Sequence, residues 1–202
     1  MTREQLTLLH YITHAANVRS ILERGILSYN RASVISHESI AMAEVQELRT
    51  WKATPGKRRL HSYANLYFNA RNPMLLKRRD MRGSCCVLRV DSAVLDLPGV
   101  YVTNGNAASR ETVFELAAEG LRIVDYALTY AHSWYDNDAE VCASRKRAVC
   151  AEVLVPDKIP PEHIIDAVVC SQDASARLRS LAPRLQVVVD PNLFFDDWYG
   201  SL

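Results

Sequence analysis

The sequence predicts a single α+β domain, and three observations lead there. Apolar runs with twofold alternation recur along the 202 residues, separated by stretches with helical spacing. Those runs do not form a strand–helix–strand repeat, which disfavours a doubly wound parallel sheet. Neither a G-x-G-x-x-G turn nor a P-loop is present, so a nucleotide would have to bind without those devices. A hydrophobic content of 49% with 23% charged residues is that of an ordinary globular domain, and the length suits one core. Residues 1–202 are therefore read as one domain.

The elements follow in order. Residues 8–13 (LLHYIT) read as a short strand. Residues 15–27 place Val18, Ile21 and Leu22 at helical spacing and stop at Gly25, a good helix terminator. Ile40, Val45 and Leu48 predict a second short helix, ended by a loop that contains Pro55-Gly56 and a charge run. Residues 64–70 and 84–91 are strand-like, and alternation lets only one of Tyr67 and Phe68 face the core. Residues 109–120 predict a helix capped by Ser109, with Glu111 in its first turn and Gly120 as its stop. Residues 122–147 look irregular and polar. A strand at 149–155, a strand at 163–170, a helix at 173–182 and a last strand at 185–189 complete the chain.

Charge and cysteine content narrow the class. The net charge of +1 says nothing about partners, but its distribution does. Between Arg49 and Arg82 stand ten Lys and Arg residues against one acid, Asp80, whereas the tail carries Asp190, Asp196 and Asp197 and no base. Such a basic block suits either an anionic ligand or a solvated loop. The five cysteines are odd in number, include one adjacent pair and form no C-x-x-C, which argues against disulfides and zinc. The six histidines are scattered without metal spacing, so no metal is expected. The N-terminal stretch lacks the apolar run of a signal peptide, and no segment has the length of a membrane span, so a cytoplasmic protein without membrane contact is expected.

Glu152 is the anomaly. It interrupts the apolar run 149–155, where an unpaired carboxylate costs on the order of several kcal/mol. Two readings fit: a core strand whose Glu pairs with an Arg, or a catalytic carboxylate lining a cleft. The strand–helix junction at 10–20 adds backbone N–H groups that suit an anion or amide.

Taken in order, "HYITH", Asn17 with "SIL", "SIAMAEVQELR", "LHSYANLYFNARNPML", "CVLRVD", "TNGNAAS", a Trp and "AEVLVP" resemble the DarT family. These are DNA ADP-ribosyltransferase toxins paired with macrodomain antitoxins. The resemblance implies an ADP-ribosyltransferase-like fold, a small central β-structure flanked by helices, with NAD as substrate in its cleft. It implies Glu152 and Arg49 as catalytic residues, and NAD contacts at Tyr11, Ile12, Thr13, Ser20, Ser28 and Arg49. An adenylate-side element would run from Ser33 to Trp51, and a substrate-reading loop from Thr103 to Glu152. It further implies a single-stranded DNA substrate, modified at thymine or guanine, and a DarG-like macrodomain antitoxin as partner. Many members read Tyr-His-Ile-Thr-His where this chain reads His10-Tyr11-Ile12-Thr13-His14, so Tyr11 stands in place of a histidine that approaches NAD. Tyrosine donates one hydrogen bond and stacks, but carries no positive charge.

The residues suit that chemistry. Cleaving the nicotinamide–ribose bond develops positive charge on the ribose, which a buried carboxylate stabilises. Arg49 stays protonated, so holding phosphates or polarising the target base suits it better than proton abstraction. An unpaired strand exposes the base nitrogen, and such strands are bound by basic side chains with aromatic platforms. Arg71, Lys77, Arg78 and Trp134 are the expected strand contacts. An ADP-ribosyltransferase acting on RNA or protein, or a non-enzymatic nucleotide-binding module, are the alternatives.

Overall fold

The computed structural model describes residues 1–196, so Asp197 of the acidic tail lies outside the described residues. The strands are β1 (Leu8–His14), β2 (Ile26–Leu27), β3 (Tyr63–Tyr67), β4 (Cys85–Asp91), β5 (Tyr101–Thr103), β6 (Phe114–Leu116), β7 (Glu152–Pro156), β8 (Lys158–Ile159), β9 (Ile164–Val169) and β10 (Val187–Val189). The helices are α1 (Val18–Arg24), α2 (Tyr29–Ala32), α3 (Ala43–Trp51), α4 (Pro73–Leu76), α5 (Ala117–Gly120), α6 (Tyr126–Thr129), α7 (Ala139–Val149) and α8 (Gln172–Leu181). The fold is mixed α and β, with an eight-stranded central sheet in the order β10-β9-β4-β1-β3-β7-β5-β6. Among the described residues only β9 and β10 pair in parallel; β2 and β8 form a separate antiparallel pair.

Alternation distributes the core. Leu9, Leu66, Phe68, Leu88, Val90 and Val153 build one apolar cluster with Val18 of α1 and Leu178 of α8. Ile12, Val87, Val149, Trp134, Phe194 and Phe195 build a second. Phe68 is buried and Tyr67 only half so, as alternation requires. Gly25, at φ 91°, ends α1 against β8; a Cβ there would lie 2.2 Å from the Ile159 carbonyl oxygen.

Two expected elements differ. The strand expected from 149 begins at Glu152, because Val149 is instead the last residue of α7. The side chain of Asp138 caps α7 by accepting from the Glu140 and Val141 amides. Only Ala148 and Val149 of that helix are buried, so its sequence carries too little apolar periodicity to read as helical. The single helix expected at 109–120 is instead a turn, β6 and the short α5. Pairing of Phe114–Leu116 with β5 overrides the local helical pattern, and the Ser109 carbonyl accepts from Lys52 Nζ. Gly120 still ends the segment, but as the point where α5 meets β5: a Cβ there would lie 2.6 Å from Val102 Cβ.

The feature that positions the site is a split in the sheet. β1 pairs with β4 from Leu8↔Asp91 to His14↔Cys85, but with β3 at His10↔Tyr67 alone. Beyond His10 the two strands part, and the backbone edge of Tyr11–His14 has no partner in β3.

Candidate active site

The split opens into a cleft. Tyr11, Ile12 and Thr13 line one side, and Tyr63, Asn65 and Tyr67 of β3 line the other. The irregular segment 33–42 and α3 close a third side. Met42 and, on α3, Val45, Gln46 and Arg49 share one helical face toward the opening, at the spacing of successive turns. A smaller pocket continues from the cleft toward α1, lined by Tyr11, Thr13, Asn17, Ser20, Ile21 and Gly25 among others.

At the base of the cleft Arg49 meets Glu152. The Arg49 Nη1 atom lies 3.1 Å from Oε2 and 3.3 Å from Oε1. Arg49 lines the cleft at 6% exposure, and Glu152 lies behind it at 0%. The carboxylate is held from its other side too: the Ala107 amide donates to Oε1 at 2.9 Å. Thr103 Oγ1 accepts from the Glu152 backbone amide at 2.9 Å, which fixes the start of β7. In the sheet, Tyr67 sits opposite Glu152, so His10, Tyr67 and Glu152 form one row across β1, β3 and β7. Of the two earlier readings of Glu152, the pairing with an Arg is seen; the carboxylate does not itself line the cleft but lies behind Arg49, which does.

Burial around the pair favours the neutral form of its titratable neighbours Tyr67, Cys150 and His61. Burial, reinforced by the Glu152 charge, raises the Tyr67 hydroxyl well above its ordinary range, so it remains a neutral donor. Burial and Glu152 likewise push the Cys150 thiol up to about 12. Burial and the nearby Arg49 lower His61, which favours its neutral form. The His61 ring stacks on Tyr29 with centroids 4.1 Å apart, and among the described residues its buried Nε2 has no hydrogen-bond partner within ordinary geometry. Sequence reasoning missed His61, Tyr29, Asn65 and the Ala107 amide, since no local pattern marks them.

The structure brings together Tyr11, Ile12, Thr13, Arg49 and Lys77 around the cleft. Ser20 lines the smaller pocket. Ser28 is buried, lines neither space, and its Oγ has no hydrogen-bond partner. The expected strand contacts are scattered. Arg78 Nε donates to the Ile40 carbonyl at 2.6 Å. Arg71 donates to the Asn192 carbonyl, and its guanidinium lies 4.4 Å from the Phe195 ring centroid. Trp134 is buried at 3% exposure, edge-on to the same Phe195, so stacking a base on it would require residues 131–138 to open. Elsewhere in the basic block Arg58 pairs with Asp157 and Arg82 with Asp196. The block is thus no continuous basic strip; most of its cations bind this chain's own acids and carbonyls.

A family profile described as "ssDNA thymidine ADP-ribosyltransferase, DarT" matches residues 10–200. The chain belongs to the DarT family. A DNA ADP-ribosyl transferase–DNA ADP-ribosyl glycohydrolase fusion protein of Thermosipho africanus (strain H17ap60334) is 32% identical over 93% of this chain and 49% of its own length. A DNA ADP-ribosyl transferase of Thermus aquaticus (strain ATCC BAA-2747 / Y51MC23) is 29% identical over 87% of this chain and 80% of its own. The DarT chain thus spans about half the length of the first of these relatives. Among solved structures, Thermosipho africanus DarTG in complex with ADP-ribose matches with TM-score 0.84 and 28% identity, over 94% of this chain and 51% of that one. Thermus sp. 2.9 DarT in complex with ADP-ribosylated ssDNA shares the fold, with TM-score 0.82 and 24% identity over 96% of this chain and 98% of that one. Among the described residues of this DarT chain, no group of three or more His, Cys, Asp or Glu could hold a metal ion. No described helix is long and apolar enough to cross a membrane.

Proposed function

We propose that this DarT chain is an enzyme that transfers ADP-ribose from NAD to a base in single-stranded DNA. The Arg49–Glu152 pair at the base of the cleft carries the reading. The family description names thymidine, so a thymine nitrogen is the proposed acceptor and guanine the alternative.

The cleft fits NAD on its own features. The unpaired edge of β1 from Tyr11 onward offers backbone donors and acceptors to a carboxamide, and Arg49 offers a cation to a phosphate. Beside that space His61 Nε2 is a buried polar atom without a hydrogen-bond partner among the described residues. Tyr11, Ile12 and Thr13 with Arg49 are the proposed NAD contacts, with Ser20 in the adjoining pocket; Ser28, buried and lining neither space, would reach NAD only if its surroundings opened. NAD supplies an activated ribose whose bond to nicotinamide breaks as the bond to the base nitrogen forms. Glu152, rigid between Ala107 and Thr103, faces the positive charge that develops on that ribose. Arg49 must first release the carboxylate. Its guanidinium then serves a phosphate or the target base, whose proton is lost to a water or to a side chain such as Glu152. Lys77 at the cleft is the proposed first strand contact, with Arg71, Arg78 and Trp134 engaged only where their present partners are exchanged.

The Thermosipho relative joins a transferase to a DNA ADP-ribosyl glycohydrolase. That supports a toxin role for this domain, in the cytoplasm with its DNA, opposed by a DarG-like macrodomain antitoxin that removes the modification. The test is incubation with labelled NAD and separate DNA, RNA and protein pools. Label is expected in single-stranded DNA and to disappear on glycohydrolase treatment. Label confined to RNA or protein establishes the alternative transferase, and NAD binding without transfer establishes a binding module.

A further inference from the structure

The segment 33–42 contains no helix or strand, yet residues 37–42 line the cleft without a break. Such a strap keeps its place only through the contacts that tether it. One tether is at Ile40, which is buried in the second apolar cluster and whose carbonyl accepts from Arg78. The other is Asn17. Its Nδ2 donates to the Glu38 carbonyl at 2.8 Å, and its Oδ1 accepts from the Glu38 amide at 2.9 Å. The same Nδ2 donates to Thr13 Oγ1 at 3.2 Å, which joins the strap to the end of β1. Both donors and one of the two acceptor lone pairs are thereby used, so three of the side chain's four hydrogen-bonding positions are committed.

The position makes this informative. Asn17 is the last residue of the helical turn Ala15–Asn17, which His14 caps and which runs straight on into α1; its backbone is helical and its side chain makes no cap hydrogen bond. Its side chain is turned out of the helix toward the strap, and it lines both the cleft and the smaller pocket.

We propose that Asn17 is a positioning residue: it clasps the Glu38 peptide like a strand partner and fixes the strap as a wall of the NAD cleft. The proposal rests on the NAD reading above. Losing the clasp is expected to raise KM for NAD roughly 5- to 100-fold, as removal of two hydrogen bonds would, with kcat changed much less. Two variants separate this from a structural role. Asn17→Ala removes every side-chain hydrogen bond, whereas Asn17→Ser keeps a small polar group in the helical turn but is too short to reach Glu38.

In ligand-free protein, both variants are expected to speed amide hydrogen exchange at Glu38 and leave α1 protected. Both are also expected to raise KM for NAD. Unchanged exchange at Glu38 overturns the clasp. Faster exchange with an unchanged KM overturns its link to NAD, and full rescue by Ser, which cannot reach Glu38, overturns the clasp as well. Wild-type protein that binds no NAD would sink the functional reading instead, while the exchange data still judge the clasp.

Discussion

The two flanks of β1 differ in what they ask of the same strand. On the β4 side all seven residues pair, and the side chains of Leu9, Leu88 and Val90 are fully buried. On the β3 side only His10 pairs, and the remaining edge opens on polar side chains and an irregular strap. Burial alone accounts for the first flank. The second leaves backbone groups unpaired and places two charges at its base, which lowers stability and leaves polar groups available to a ligand. Substitutions on the open flank should therefore change activity more than fold.

Glu152→Gln is expected to show the largest effect. Gln keeps the shape and the contact with the Ala107 amide, but not the charge. Transfer should fall about a thousandfold or more, the scale for losing a transition-state charge contact, while the protein still folds, with a lowered unfolding midpoint because Arg49 loses its counter-ion. Gln is preferable to Ala here, because Ala would add a cavity and lose the contact with the Ala107 amide. Transfer at the wild-type rate in the Gln variant would remove Glu152 from the chemistry and erase the functional contrast between the flanks.

The pair itself gives the next effect, on stability. Arg49→Ala should destabilise by about 3–5 kcal/mol, since it leaves a fully buried carboxylate without its cation. The double variant Arg49→Ala with Glu152→Gln should recover most of that loss and none of the activity. Denaturant unfolding of the four proteins measures the coupling directly. If the double variant is no more stable than Arg49→Ala alone, lost packing rather than charge explains the cost.

The flanks also differ in how much of them was legible in the sequence. The β4 side was readable because alternation at 8–13, 84–91 and 163–170 depends on side-chain type alone. Glu152 could be singled out as a misfit in an apolar run, but its partner stands 103 residues earlier and no local pattern joins them. Arg49 entered through a family resemblance, not through spacing. The Ala107 amide has no sequence signature, since any residue other than proline supplies that donor. β6 and α7 were misread because pairing and capping, not periodicity, decide them. Asn17 was visible only as a member of a motif; its turn toward the strap is a tertiary event.

The smallest expected effect lies where the flanks meet. His10 is the residue of β1 that pairs with both neighbours, Arg89 and Tyr67, and its Nδ1 lies 2.9 Å from the Phe68 carbonyl. Burial is the main cause lowering its pKa, opposed by its bonds to backbone carbonyls, and His61 is lowered as well. The folded chain therefore resists a proton that the unfolded chain takes up near the ordinary histidine value of about 6.5. Stability should be full above that pH and decline as pH falls below it, by at most about 1.4 kcal/mol per pH unit for each such histidine. His10→Asn keeps a neutral N–H near the Phe68 carbonyl and cannot titrate. Its denaturation midpoint should be flatter than wild type between pH 7 and 5.5, a range that largely avoids carboxylate titration. Equal slopes in the two proteins would mean that His10 gains protons alike in both states, and that the junction of the flanks is wetter than its burial implies.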